Sequence, residues 1–312
     1  METRREIAGR AAGGKKNPAE KLPRGGGSCL HSRRGLTFSA PWKLPAPVTR
    51  HLAYTLALDN PPGAVGHRTM AKFLVLSLLR TRFSGDIVVF RNSPAPLFMV
   101  PRAHVREVFV ETTVPEGEDF WDYAQSWKFR VRKHLDVRGY DKVLFLDADC
   151  LALRNINAML EGDWDLAYYP EPGSDATMKW FNCFISKKEA ARLKCEGVNG
   201  GILGVRAARY HEVMESWERI HYGPSPRRKF FADQAALTRL IIDTDLRKRP
   251  LALADVATPM GYDPRPHVYL AANIVHLAGC PTFDLKLRFM FGLYMSTFFL
   301  DRQATLLHVL DL

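Results

Sequence analysis

Two aspartates, Asp147 and Asp149, directly follow the strongest strand pattern in the chain. Five strand-forming residues, Lys142 to Leu146, precede them. Residues i and i+2 of an extended chain project to the same side, so the two carboxylates are able to share one space. Carboxylate oxygens suit a hard divalent cation such as Mg²⁺ or Mn²⁺. Because two buried like charges are costly unless a cation neutralises them, the spacing predicts a cation site at a strand end.

A bare Asp-x-Asp pair has a second interpretation, a solvated loop after a strand, where aspartate is common. The strand context favours the cation site, because open α/β sheets bind ligands at the carboxyl ends of their strands.

The elements that would position this pair alternate between strand and helix patterns. Strands are predicted at Leu52–Leu58, Asp86–Phe90, Val105–Val110, Lys142–Leu146, Asp165–Tyr169, Gly200–Val205 and Asn273–Leu277, and helices at Met70–Arg80, Trp121–Leu135, Ala207–His221 and Ala232–Ile242. Strand, helix and strand at this spacing predict an α/β fold with a mostly parallel central sheet.

The composition is that of a globular protein. The 312 residues are 46% hydrophobic and 25% charged, which excludes collagen, a coiled coil and a disulfide scaffold. The formal charge is +11, but residues 1–50 hold 11 of the 44 basic residues and three of the 33 acidic ones. The remainder is nearly balanced, with 33 basic against 30 acidic residues. We therefore expect no nucleic-acid partner.

The five cysteines are odd in number, widely spaced and without a C-x-x-C pair. Free thiols in a reducing compartment are the expectation, rather than disulfides or a zinc site. The N-terminus has no apolar signal region, so a cytoplasmic location is predicted, with the Golgi as the alternative if an N-terminal anchor is missing from the sequence.

Three segments divide the chain. Residues 1–50 form a Gly-rich basic tail that is predicted to be disordered, and residues 51–285 form one domain. Residues 286–312 form a C-terminal helical extension, with apolar residues at roughly helical spacing: Leu287, Met290, Phe291, Tyr294, Phe298 and Leu300. We expect the extension to pack on the domain, because an exposed face of that size would favour aggregation; docking on a membrane surface is the alternative.

The stretch Tyr140 to Ile156 resembles the Asp-x-Asp region of glycosyltransferase family 8, the glycogenin-like and galactinol-synthase-like enzymes. Three further segments resemble the family's motifs in the same order: Val198 to Ile202, the pair Asp233-Gln234, and His276 to Gly279. The resemblance implies a GT-A type nucleotide-diphospho-sugar transferase fold, a single Rossmann-like domain with a mostly parallel central sheet.

The same resemblance implies an enzyme, a metal-dependent retaining transferase that moves a hexosyl group from a UDP-sugar to a sugar, polyol or protein acceptor. Asp147, Asp149 and His276 would bind Mn²⁺, with Mg²⁺ as the alternative. The catalytic residues would be Lys128, Asp233 and Gln234. Donor-binding residues would be Thr55, Leu56, Asp59, Lys128, Asp147, Ala148, Asp149, Asn199, Gly200, Gly279 and Lys286. The family has a lysine six residues after its motif histidine, where this chain has Thr282, and Lys286 is the next basic residue.

Two other functions stay open. Val143 to Leu153 also resembles the first motif of haloacid-dehalogenase-type phosphatases, in which Asp147 would be the nucleophile, although Leu151 stands where that motif has Thr or Val. A non-catalytic nucleotide-sugar-binding module is the other alternative. Release of UDP from UDP-sugars, rather than of phosphate from phosphoesters, distinguishes a transferase from a phosphatase.

Overall fold

A computed structural model describes residues 50–62, 66–175, 183–186, 188–189, 196–224, 232–259, 270–278 and 282–299. The predicted N-terminal tail up to residue 49, the donor-binding residue Gly279, and the C-terminal segment beyond residue 299 lie outside these ranges. Among the helices of the described ranges, none combines the length and the apolar character that a membrane span needs.

Ten strands and five α-helices form the described part of the chain. The strands are β1 (His51–Ala57), β2 (Asp86–Arg91), β3 (Val105–Phe109), β4 (Lys142–Leu146), β5 (Cys150–Ala152), β6 (Leu166–Asp175), β7 (Glu196–Arg206), β8 (Lys248–Pro250), β9 (Val256–Ala257) and β10 (Ile274–His276). The helices are α1 (Gly66–Arg80), α2 (Phe120–Arg130), α3 (Tyr210–His221), α4 (Ala232–Asp243) and α5 (Phe283–Phe298). Short 3₁₀ turns lie at Val131–Lys133, Asn157–Leu160 and Ala207–Arg209.

A seven-stranded sheet forms the centre, in the order β3-β2-β1-β4-β7-β6-β8. Strands β3, β2, β1 and β4 are mutually parallel, β7 is antiparallel to β4 and β6, and β8 is parallel to β6. The predicted α/β fold with a mostly parallel sheet is confirmed. The carboxyl end of β4, where the two aspartates follow, therefore lies in the middle of the sheet.

A smaller sheet, in the order β5-β10-β9, lies beyond the end of β4. Strand β10 runs antiparallel to β5, with His276 opposite Cys150 in the register. This sheet brings a late segment of the chain next to the residues that follow β4.

Helices cover both faces of the central sheet, because alternate residues of its buried strands point to opposite sides. Leu144 and Leu146 pack with α1 and α5 on one face, and Val143 and Phe145 pack with α2, α3 and α4 on the other. Asp147 continues the second series, which directs it toward α2.

Helix α5 packs on α1. It begins at Phe283, so the segment boundary expected at residues 285/286 falls inside the helix. Its residues Met290, Leu293 and Tyr294 are buried, and the Tyr294 ring lies 5.4 Å from that of Phe73 on α1. This packing fixes the first turn of α5 close to the end of β4.

Candidate functional site

Asp147 and Asp149 lie in a tight turn between β4 and β5. The backbone N–H of Asp147 donates to the carbonyl of Gly201 on β7 at 2.8 Å, and that of Cys150 donates back to the carbonyl of Asp147 at 3.0 Å. The carbonyl of Asp149 accepts from Leu277, which follows β10, at 3.0 Å. These bonds hold the two carboxylates between the central sheet and the smaller sheet.

His276, on β10, faces both carboxylates. Its Nε2 lies 3.3 Å from Asp149 Oδ1 and 3.8 Å from Asp147 Oδ2. Gly201 makes room for this approach, because a Cβ at that position would lie 2.6 Å from His276 Nε2 and 2.7 Å from Asp147 Oδ2. The structure thus brings together the three residues expected to bind a metal.

Lys128, on α2, connects the Asp-x-Asp turn with the start of α4. Its Nζ donates to Asp147 Oδ2 at 3.2 Å, to the carbonyl of Gly200 at 3.1 Å and to Asp233 Oδ2 at 2.9 Å. The Tyr54 hydroxyl donates to the backbone carbonyl of Lys128 at 2.9 Å, which ties this turn of α2 to β1.

The pair Asp233-Gln234 lies in the first turn of α4. Gln234 Oε1 accepts from the N–H of Gly200 at 3.0 Å, and the carbonyl of Asp233 accepts from the indole N–H of the fully buried Trp217 at 2.9 Å. Asp233 Oδ1 is buried and has no hydrogen-bond partner among the described residues. One oxygen of Asp233 is therefore held by Lys128, and the other is left for a further partner.

Lys286 reaches the site from the first turn of α5. Thr282 is the N-cap of this helix, and its hydroxyl accepts from the N–H of Leu285 at 3.2 Å. One turn later, Lys286 Nζ lies 2.5 Å from Asp149 Oδ2. Thr282, which stands where glycosyltransferase family 8 has a lysine, therefore caps the helix in this chain. Lys286, four residues later, contacts Asp149.

A pocket of about 210 Å³ opens in front of these groups. Six predicted site residues line the pocket: Leu56, Lys128, Asp147, Ala148, Asp149 and Lys286. Five further lining residues were not predicted from the sequence: Leu58, His67, Trp121, Ala124 and Gln125. Trp121 and Phe283 stack with ring centroids 5.9 Å apart, and His67 contacts both rings. The pocket therefore has an aromatic edge and a charged floor.

The other predicted donor-binding residues, Thr55, Asp59, Asn199 and Gly200, are not among those that line this pocket, and Gly279 lies outside the described residues. Thr55 and Asp59 are buried at the end of β1, and Thr55 Oγ1 and Asp59 Oδ2 have no hydrogen-bond partner within the described ranges. Asp59 Oδ1 accepts from the N–H of His67 at 2.8 Å. Asn199 Oδ1 accepts from the N–H of Gly201 at 2.8 Å, so Asn199 shapes the β7 segment behind the aspartates.

The surroundings shift the pKa values of the charged groups of the site in different directions. Burial raises the pKa of Asp147, and the ammonium of Lys128 offsets that shift only in part. Burial acts in the same direction on Asp149, but Lys286 and His276 outweigh it and hold its pKa well below the usual range. For Lys128, burial lowers the pKa, but Asp147 and Asp233 outweigh it and raise the pKa above its usual value.

The donor set fits a divalent cation. Both carboxylates lie within 3.8 Å of the Nε2 of His276, which is 3% exposed. Lys128 and Lys286 contact the same carboxylates. Oxygen donors with one imidazole suit Mn²⁺ or Mg²⁺. Such a cation would occupy the space in front of Asp147, Asp149 and His276.

No family model matches the chain, and no curated protein matches it in sequence. Solved structures share its fold. The apo structure of the bifunctional glycosyltransferase WbbM has a TM-score of 0.53 and 15% identity, over 79% of this chain and 50% of that one, so this chain spans about half the length of WbbM. An active-site mutant of LgtC has a TM-score of 0.52 and 10% identity, over 77% of this chain and 95% of that one. The chain therefore has the GT-A type fold that its sequence predicts.

Proposed function

We propose that this chain is a metal-dependent glycosyltransferase that uses a nucleotide-sugar donor. The observation that carries the proposal is the convergence of Asp147, Asp149 and His276 at the carboxyl end of β4, where the two aspartates line a pocket. Open α/β sheets bind their ligands at the carboxyl ends of the strands, which is where these carboxylates lie. Lys128 and Lys286 add two cationic side chains to the same pocket, which suits a diphosphate.

The reaction breaks the bond between the anomeric carbon and the diphosphate oxygen and forms a bond from that carbon to an acceptor oxygen, with release of the acceptor's proton. A divalent cation held by the two aspartates and His276 would stabilise the negative charge that develops on the leaving diphosphate. Lys128 Nζ stabilises the same charge from the α2 side, and its three contacts hold it in place before the reaction.

The sugar would lie against the start of α4. Asp233 Oδ1 is buried without a hydrogen-bond partner in the described structure, and a sugar hydroxyl is a donor of the type that would satisfy it. Gln234 is fixed beside it through Gly200. These positions support the roles of Asp233 in donor orientation and of Gln234 near the anomeric carbon.

We further propose the finer assignments that the resemblance implies: Mn²⁺ as the cation, a UDP-hexose as the donor, retention of anomeric configuration, and a sugar, polyol or protein acceptor. Thr55 and Asp59 support a nucleoside at the end of β1, because each has a buried oxygen with no hydrogen-bond partner among the described residues. Gly279 is proposed on sequence grounds alone. We also propose that acceptor specificity resides in the loops at residues 171–186 and 222–230, which are described only in part.

The first experiment is a thermal-shift measurement with UDP, with and without Mn²⁺, followed by an assay of UDP release from UDP-sugars. UDP should raise the melting temperature more with Mn²⁺ than without it. Asp149→Ala should remove the Mn²⁺ stimulation and lower UDP release by about a hundredfold or more. Asp245→Ala, at an exposed position, is the matched control and should leave both unchanged. Retained Mn²⁺-stimulated release in Asp149→Ala, or release of phosphate from phosphoesters instead, would contradict the proposal.

A further inference from the structure

We propose that Cys150 is a direct ligand of the cation site, which raises the affinity of this site for thiophilic cations such as Cd²⁺ relative to Mn²⁺. The inference rests on the cation site of the proposed function and adds a sulfur donor to it. One carboxylate oxygen of Asp149, one imidazole nitrogen of His276 and the Cys150 sulfur all lie within 4.8 Å of one another.

Strand pairing explains why the sulfur lies there. Cys150 is the first residue of β5 and pairs directly with His276 of β10 in an antiparallel register. Directly opposite residues of an antiparallel pair project to the same face, with their Cβ atoms about 4.5–5.5 Å apart. The same two strands that carry His276 to the aspartates therefore carry the Cys150 side chain next to the imidazole.

Cys150 lies at the edge of the apolar core that the sheet shares with α1 and α5, and two of its neighbours are ligand-type groups. Cys150 is fully buried, and its thiol lies 4.0 Å from the carbonyl of Gly201, the residue that makes room for His276. His276 is itself 3% exposed, and its Nδ1 has no hydrogen-bond partner among the described residues. A buried imidazole beside a carboxylate and a thiol is a typical donor set of a metal centre.

A bound divalent cation would be needed to hold Cys150 as a thiolate, because burial and the carboxylates of Asp149 and Asp147 raise the pKa of the free thiol. On coordination the thiol releases its proton to solvent and the sulfur donates an electron pair to the cation. Asp147, Asp149, Asp233 and a thiolate then supply four negative charges, while Lys128, Lys286 and a divalent cation supply four positive ones. The extra ligand therefore leaves no net charge in the buried cluster.

A sulfur donor changes which cations the site prefers. Carboxylates and water suit Mg²⁺ and Mn²⁺, imidazole suits several transition metals, and thiolates favour soft or borderline cations. A site of Asp149, His276 and Cys150 should therefore have a higher ratio of Cd²⁺ to Mn²⁺ affinity than the same site without the sulfur, and Cd²⁺ should displace Mn²⁺.

The test is a Cd²⁺ titration of the full chain, read by the ultraviolet charge-transfer band of a Cd²⁺–thiolate bond, with Mn²⁺ binding measured separately by electron paramagnetic resonance. Wild type should develop the band with Cd²⁺ and lose bound Mn²⁺ in parallel. Cys150→Ser and Cys150→Ala should lose that part of the band and show a lower ratio of Cd²⁺ to Mn²⁺ affinity, while still binding Mn²⁺. Two variants are used so that folding failure in one does not end the test. Cys183→Ser is the matched control and should behave as wild type.

Two other results would overturn the inference, and they differ in what they mean for the proposed function. If both Cys150 variants keep the full band, or if wild type binds Cd²⁺ at this site without a band, the sulfur is not a ligand and the inference is wrong, while the proposed function stands. If neither Cd²⁺ nor Mn²⁺ binds wild type, the cation site itself is wrong, and the metal dependence of the proposed function fails with it.

Discussion

Lys128 Nζ lies 2.9 Å from Asp233 Oδ2, although 105 residues separate the two in the chain. The contact joins the last turn of α2 to the first turn of α4, and Lys128 Nζ also donates to Asp147 Oδ2. Both partners are buried, with side chains that are 9% and 1% exposed. Because an isolated buried charge is costly, each of these charges depends on the other.

This dependence gives the first prediction. Lys128→Met should lower the free energy of unfolding by about 3–5 kcal/mol, because it leaves Asp233 buried without its cation. The double variant with Asp233→Asn should be less destabilised than the sum of the two single variants. Urea unfolding followed by circular dichroism measures all three.

A control for this prediction is the exposed ion pair between Arg288 and Asp284 on α5. Arg288→Met should change stability by less than about 1 kcal/mol, because surface pairs contribute little. Additive effects of Lys128→Met and Asp233→Asn would show that the two charges are not coupled.

The second prediction concerns the space that Gly201 leaves for His276. In Gly201→Ala the new Cβ would lie 2.6 Å from His276 Nε2 and 2.7 Å from Asp147 Oδ2, so the imidazole must move away from the aspartates. Mn²⁺ binding, measured by electron paramagnetic resonance, should be lost or greatly weakened. Gly292→Ala on α5 is the matched control, since a Cβ there meets nothing within 4 Å, and it should stabilise the helix by about 0.5–1 kcal/mol without affecting Mn²⁺. Unchanged Mn²⁺ affinity in Gly201→Ala would count against His276 as a ligand.

How far the site was predictable depends on the element that carries each residue. The strand Lys142 to Leu146 and the two aspartates after it were predicted with correct bounds, because five consecutive strand formers give a clear signal. The pocket-lining residues His67, Trp121 and Gln125 were not, because they reach the pocket through the positions of α1 and α2, and no motif marks them.

The smaller sheet was the least predictable part of the fold. Strands β5 and β9 have three and two residues, too few for a period to appear in the sequence. They form because β10 pairs with them, and that pairing aligns Cys150 with His276. Lys286 was proposed only as the next basic residue after Thr282, and its position follows from the Thr282 cap, which sets where α5 begins.

The third prediction is a pH dependence of stability caused by Lys142. Its Nζ lies 3.7 Å from the ring centroid of Trp164, and burial lowers its pKa from 10.5 to about 8. Between these values the unfolded chain keeps the proton and the folded chain gives it up, so the unfolded state binds more protons and stability rises with pH.

In Lys142→Met this rise should disappear, so the melting temperature of wild type relative to the variant should increase between pH 8 and pH 10. Lys133→Met, at an exposed position, should follow wild type over the same range. Parallel curves for wild type and Lys142→Met would show that the lysine titrates normally in the folded chain.

The last prediction links the packing of α5 to the site. Leu293 is fully buried in the core that α5 shares with α1, and Leu293→Ala should lower the free energy of unfolding by about 2–5 kcal/mol. Leu285→Ala is the matched control, because that side chain is 39% exposed, and it should change stability by less than about 0.5 kcal/mol. Since the first turn of α5 carries Lys286 to Asp149, loosening the helix should also reduce the rise in melting temperature caused by UDP with Mn²⁺. Chemical unfolding and thermal shift measure the two effects separately, and a destabilised Leu293→Ala with a full ligand response would mean that Lys286 does not contribute to donor binding.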